Sequence, residues 1–283
     1  MKIAISSDSS LDLTKELIKK YEIHVVPFSI VMGEEQYLDG EVTSKDIFAY
    51  TEKTGKLART SAVNEAQCEE HFAKILASHD AIIHFTISSD MSASYQNACL
   101  AAKKFKNVYV VDSRSLSTGV ALEAIYAKKL ATKGLEVDEI IKRVQERIPY
   151  VQASFALEAV NYLYKGGRCS GLAALGANLL RIRPQIVVKN GKMGQGKKFR
   201  GPMNRWVKDY TEETLREFPN MDHSIAFITY SSATDEAIEW CKNRLKEAGF
   251  KEVYNTEAGG TVSCHCGPGT LGVLYFNDGD HNE

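Results

Sequence analysis

Short apolar runs that each end in a polar loop and then a helix constrain this chain most. Lys2–Ser6 runs into Ser6-Ser7-Asp8-Ser9-Ser10, and a helical stretch from Asp12 to Tyr21 follows with Leu13, Leu17, Ile18 and Tyr21 on one face. Ala81–Ile87 leads through Ser88–Ser94 into the Ala-rich stretch Tyr95–Phe105. Val108–Val111 ends in Asp112-Ser113, with a helix expected over Gly119–Thr132. Repeated βα units predict a mostly parallel sheet covered by helices on both faces.

The pattern changes after the amphipathic helix expected over Glu136–Ile148, which Pro149 ends. Beyond it, Arg183–Lys189, Asn190-Gly191 and Lys192–Phe199 read as strand, hairpin turn and return strand. Helices are expected over Asn204–Glu217 and Thr234–Ala248, and strands over Ser224–Tyr230, Glu252–Thr256 and Thr270–Phe276. The fold class expected is therefore α/β in two domains. Residues 1–150 form an N-terminal, mostly parallel, doubly wound sheet, and residues 151–283 a C-terminal α/β domain with a mixed sheet.

At 283 residues the chain has room for two such domains. With 36 acidic and 35 basic side chains it lacks the basic surplus of a nucleic-acid binder. The N-terminus MKIAISSDSS has no apolar secretory core, and no run approaches the roughly 20 apolar residues of a membrane span. A cytoplasmic location is expected, with no stable membrane insertion but room for transient contact with a membrane surface. The six scattered cysteines are expected to be thiols there.

Gly191-Lys-Met-Gly-Gln-Gly196-Lys197-Lys198 nearly matches a phosphate loop, but Lys198 stands where magnesium needs Ser or Thr, and the segment falls on a hairpin. Cys264-His265-Cys266 has no paired cluster to complete a zinc site and reads as a small-residue loop, so no metal is expected. No Gly-x-Ser-x-Gly elbow is present.

Three elements carry candidate chemistry. Arg59-Thr60-Ser61-Ala62 reads as a hydroxyl pair in a loop. Ser88–Tyr95 lies between a buried strand and a helix, where open α/β sheets bind ligands and a helix start offers free N–H groups to an anion. Ser92 or Ser94 presents a hydroxyl to a ligand there or simply caps the helix, and residue chemistry alone favours neither. Gly259–Gly269 is a Gly-rich segment with a single His265, and Gly166-Gly167-Arg168 is a similar element.

These residues fall in an order that resembles the DegV family, whose members include the fatty-acid-binding subunits of bacterial fatty-acid kinase. The likeness runs through Asp8-Ser9-Ser10-Leu11-Asp12-Leu13, Val26-Pro27-Phe28, Tyr37-Leu38-Asp39-Gly40, Thr60-Ser61 and Ser92-Ala93-Ser94-Tyr95-Gln96-Asn97-Ala98. It continues in Val111-Asp112-Ser113, Leu163-x-x-Gly166-Gly167-Arg168 and His265-x-Gly267-Pro268-Gly269. The resemblance implies a long-chain fatty acid in a buried tunnel between the domains. Its carboxylate would meet Thr60 or Ser61, a hydroxyl of Ser92 or Ser94, and His265, directly or through water. It further implies a separate ATP-dependent fatty-acid kinase that converts the carboxylate to an acyl phosphate. Arg168 and Arg200 match positions associated with that encounter. No cofactor beyond the bound acid is implied, and no catalytic residue of this chain. Ala93-Ser94 replaces the family's usual Gly-Thr; Ser keeps the hydroxyl, while Ala narrows the backbone approach. The alternatives are a stand-alone phosphotransferase or hydrolase acting on a small anion with His265 as base, and a regulatory module that binds another metabolite.

Overall fold

The computed structural model describes residues 1–169 and 182–281. The first half contains β1 (Ile3–Asp8), α1 (Lys15–Lys20), β2 (Ile23–Val26), β3 (Ser29–Met32), β4 (Glu35–Leu38), α2 (Ser44–Thr54), β5 (Arg59–Ser61), α3 (Glu65–Leu76), β6 (Ala81–Thr86), α4 (Ser94–Ala102), β7 (Val108–Asp112), α5 (Thr118–Thr132) and α6 (Val137–Arg147). The second contains β8 (Val151–Leu157), α7 (Val160–Lys165), β9 (Arg183–Lys189), β10 (Lys192–Phe199), α8 (Met203–Glu217), β11 (Ile225–Tyr230), α9 (Asp235–Glu247), β12 (Glu252–Glu257), α10 (Gly260–Cys266) and β13 (Thr270–Phe276).

Among the described residues the strands form three sheets. One is wholly parallel with order β2-β1-β6-β7, as the βα repeats require. The second has six strands in the order β10-β9-β8-β13-β11-β12 and is mixed, its one parallel pair being β11 with β12. The third, β4-β3-β5, is a small antiparallel sheet not expected from the sequence. The first and third sheets precede Val151 and the second follows it.

Strand β1 is buried along its whole length, so its two faces serve different cores. Ile3 and Ile5 pack towards α5, while Ala4 packs with Phe72, Ile82 and Ala98 on the side of α3 and α4. This is the doubly wound arrangement. Helix α5 is buried nearly all round, as a helix apolar on every face must be. It packs on β1 and β6 of the parallel sheet and on β8, β11 and β13 of the mixed sheet. Val120, Ala121 and Ile125 thereby share one core with Ile83 and Phe85 on one side and Phe227, Leu274 and Phe276 on the other.

Local signals set the ends of several elements. Thr43 and Asp46 form a capping box at the start of α2, and Asn64 and Gln67 form one at α3. The helix expected from Asp12 begins only at Lys15, because Asp12 is left-handed (φ 52°) and Thr14 caps the helix. At the β9–β10 turn Gly191 has φ +81°, and the near-match to a phosphate loop lies on this antiparallel hairpin.

Candidate functional site

Two sequence readings are corrected by the structure. Thr60 and Ser61 lie on strand β5, not in a loop, because Ile30 and Ser29 of β3 pair with them. Successive strand residues point to opposite faces. Thr60 lines an internal cavity, whereas Ser61 is exposed and does not line it. Gly260–Cys266 is likewise a helix rather than a small-residue loop. One face of α10 sends Cys264 into an apolar cluster with Ile30 and Ile47. Another brings Val262, His265 and Cys266 to the cavity.

This cavity has a volume of about 200 Å³. Thr60, Ser92, Arg168, Thr261 and His265 bring polar groups to its wall, and Phe28, Ile87, Met91, Leu116, Met193 and Val262 apolar ones. The Thr60 hydroxyl and His265 Nε2 are 2.9 Å apart, a contact spanning 205 positions of sequence. Leu116, Val262 and Cys266 also line an adjoining apolar space bounded by Ala153, Phe155 and Leu274.

The Ser88–Ser94 turn is held from several sides. The Ser88 hydroxyl donates to the Gly191 carbonyl at 2.8 Å, and Ser89 N–H donates to Asp112 Oδ1 at 3.1 Å. Arg114 pairs with Asp90 at 2.7 Å. The first ties the turn to the tip of the β9–β10 hairpin and the other two tie it to the end of β7. Asn97 of α4 donates to the Val63 carbonyl at 2.8 Å, which fixes α4 against the segment leaving β5.

Of the two serines between which the sequence left the choice open, Ser92 takes both roles and Ser94 neither. Ser92 is half-buried and lines the cavity, while Ser94 is buried and does not. Ser92 Oγ accepts from Ser94 N–H at 3.2 Å and lies 3.2 Å from Ser94 Oγ. Ala93 is the N-cap residue of α4, with no side-chain capping bond. At the start of α4, beside the cavity, the Ser92 hydroxyl thus takes up the first helical N–H in place of an N-cap side chain.

Burial, reinforced by the nearby charge of Arg168, lowers the His265 pKa to about 4, so the ring is neutral at pH 7. Nδ1 has no hydrogen-bond partner among the described residues. It lies against Gly166, where a Cβ would stand 2.7 Å away, so glycine is needed for α7 to end this close to the imidazole. Burial also raises the Cys266 thiol to about 12, which leaves it un-ionised and a poor nucleophile.

Arg168 lines the cavity and reaches the surface. Its guanidinium donates to the Gly166 carbonyl at 2.7 Å and to the Met91 carbonyl at 3.5 Å. Arg200 is exposed just after β10 and is not part of the cavity wall. The sequence reading missed the apolar wall residues Met91, Leu116 and Met193; nothing in an isolated apolar side chain separates a cavity wall from ordinary core.

A family profile described as uncharacterised protein, DegV family, matches residues 2–278. The chain belongs to the DegV family. A DegV domain-containing protein of Clostridium perfringens is 30% identical over 98% of this chain and 99% of its own length. A fatty acid-binding protein of Thermotoga maritima is 27% identical over 96% of each chain. Among solved structures, a DegV family protein from Thermus thermophilus, described by its fatty acid binding, superposes with a TM-score of 0.89 at 26% identity, covering 98% of this chain and all of that one. The parallel and mixed sheets thus form a DegV fold. No helix among the described residues is long and apolar enough to cross a membrane.

Proposed function

We propose that this DegV protein binds a long-chain fatty acid and presents its carboxylate to a separate ATP-dependent kinase for acyl-phosphate formation. The observation that carries the reading is the Thr60–His265 contact at 2.9 Å in the wall of a mostly apolar cavity. The fatty-acid binding of its Thermus and Thermotoga relatives supports it.

The division of labour follows from the ligand. Burying a methylene contributes about 0.8 kcal/mol, so ~16 of them supply at most on the order of 13 kcal/mol. Lost motional freedom offsets a large part of that. The tail supplies affinity, running past Leu116, Val262 and Cys266 towards Ala153 and Phe155 at the junction of the two domains, residues 1–150 and 151–283, where its entry widens a space of about 20 Å³.

The head sets orientation. Thr60 and Ser92 donate O–H groups to the carboxylate, and neutral His265 donates Nε2–H to Thr60 Oγ1. That tautomer leaves the Thr60 proton free for the ligand; the reverse arrangement would consume it. Uncharged donors hold the carboxylate while leaving its oxygen electron-rich enough to attack a phosphoryl group. Arg168, at the mouth, and exposed Arg200 serve the encounter with the kinase. Phosphoryl transfer also needs nucleotide, metal and charge stabilisation, which that partner brings. The reading places the protein in the cytoplasm.

The experiment combines delipidated protein, hexadecanoate and ATP with and without a fatty-acid kinase protein, and traps acyl phosphate with hydroxylamine. Product is expected only when all components are present, with Arg200→Glu lowering turnover but not lipid affinity. ATP consumption by the chain alone, or product formation indifferent to this chain, would contradict the proposal.

A further inference from the structure

The Asp8–Leu13 and Tyr37–Gly40 motifs lie outside the cavity wall, yet both reach the helix that carries His265. Gly260 N–H donates to Asp39 Oδ1 at 2.8 Å, and Thr261 N–H donates to Asp39 Oδ2 at 3.3 Å. Gly259 N–H donates to Asp12 Oδ1 at 2.8 Å. Two acidic side chains from the first half of the chain thus take up three consecutive N–H groups at the start of α10, which has no capping side chain of its own. An acidic group there also complements the positive end of the helix.

The grip is built in. Asp39 accepts from the Ser9 hydroxyl at 2.8 Å, and the same Ser9 Oγ accepts from the N–H of cavity residue Phe28 at 3.0 Å. Asp12 accepts from the Ser117 hydroxyl at 2.5 Å. Neither glycine tolerates a side chain easily. A Cβ on Gly260 would lie 2.2 Å from Ile30 Cδ1 and 3.1 Å from Asp39 Oδ1, and one on Gly259 would lie 3.1 Å from Asp12 Oδ1. Ile30 pairs with Thr60 across β3 and β5. The strand under the start of α10 therefore also sets Thr60, and the Thr60–His265 distance depends on where Asp39 holds the helix.

We propose that Asp39, backed by Asp12, is a positioning residue that sets the tautomer and placement of His265 against Thr60 by holding the N-terminus of α10. A seven-residue helix opening Gly-Thr-Val-Ser has little intrinsic stability. Its register comes from these two aspartates. The role in ligand binding rests on the fatty-acid reading above; the placement of the ring does not.

The test compares wild type, Asp39→Ala and Asp39→Asn in two measurements. The first is the ¹⁵N spectrum of the His265 imidazole in ligand-free protein. One dominant Nε2–H tautomer is expected in wild type, mixed tautomers in Asp39→Ala, and an intermediate spectrum in Asp39→Asn, which keeps one acceptor. The second is the ratio of hexadecanoate to hexadecanol affinity, which should fall about tenfold in Asp39→Ala, roughly one hydrogen bond to a charged group. Unmoved His265 resonances would overturn the proposal, as would equal weakening of acid and alcohol. If Asp39→Ala does not fold, Asp39→Asn decides on the same two readouts. A wild type that ignores hexadecanoate would defeat the fatty-acid reading, while the spectra would still decide whether Asp39 places the ring.

Discussion

Replacing Thr60 by Val removes one hydroxyl while keeping a β-branched side chain that suits strand β5. Two consequences follow from the 2.9 Å contact with His265 Nε2. In the free protein the imidazole N–H loses its partner in a half-buried position, costing about 1–2 kcal/mol of stability. In the complex the carboxylate loses a charge-assisted hydrogen bond of about 1.5–3 kcal/mol, a weakening of roughly 10- to 150-fold. Hexadecanol, whose bond to Thr60 is neutral, should weaken by only about 2- to 10-fold. The tail contribution cancels in the comparison, since no apolar wall changes. Calorimetric titration of delipidated wild type and Thr60→Val with both ligands measures the difference. Equal losses for acid and alcohol, or no loss for the acid, would show that Thr60 does not hold the head.

Three further outcomes are expected. Burial, with smaller contributions from Asp39 and Asp8, raises Asp12 to about 8 against bonds from Ser117 and Gly259 that lower it. The folded state then keeps a proton that the unfolded chain releases near pH 3.8, so this group's contribution is lost as pH rises towards 8. Urea unfolding should show Asp12→Asn gaining on wild type by up to ~1.4 kcal/mol per pH unit between pH 6 and 7, and parallel pH profiles would contradict this. Arg147 is buried against Asp222 and Asp278, with contacts of 2.7 Å to each, so Arg147→Ala should cost about 3–5 kcal/mol in thermal or urea unfolding by stranding two carboxylates. Gly166→Ala puts a Cβ 2.7 Å from His265 Nδ1 and 3.0 Å from the Tyr162 carbonyl; it should cost about 1–3 kcal/mol and weaken acid binding more than alcohol binding in the same titrations.

How much was legible beforehand depended on where the determining contacts lie. The strands β1, β6 and β7 announce themselves because strands of a parallel sheet covered on both faces are near-continuous apolar runs. Helices α6 and α9 carry their periodicity in local sequence. Arg59-Thr60-Ser61 has no such pattern, and only pairing with Ile30 and its neighbours makes it a strand. The first turn of α10 is poor helix former, capped by Asp39 and Asp12 more than 200 positions away, so no local rule reveals it. Thr60, Ser92 and His265 stood out as residue types in family-like motifs, but their convergence, and the absence of Ser61 and Ser94 from the cavity wall, depend on strand alternation and on the turn before α4.

Native mass spectrometry of the protein as purified from its host, followed by denaturation and identification of what is released, addresses the lipid-carrying role without presupposing a ligand. A mass excess matching one long-chain carboxylic acid per chain, diminished in Thr60→Val, is the predicted result. A chain that arrives empty and stays empty after exposure to such acids, or that releases a water-soluble metabolite instead, would contradict it.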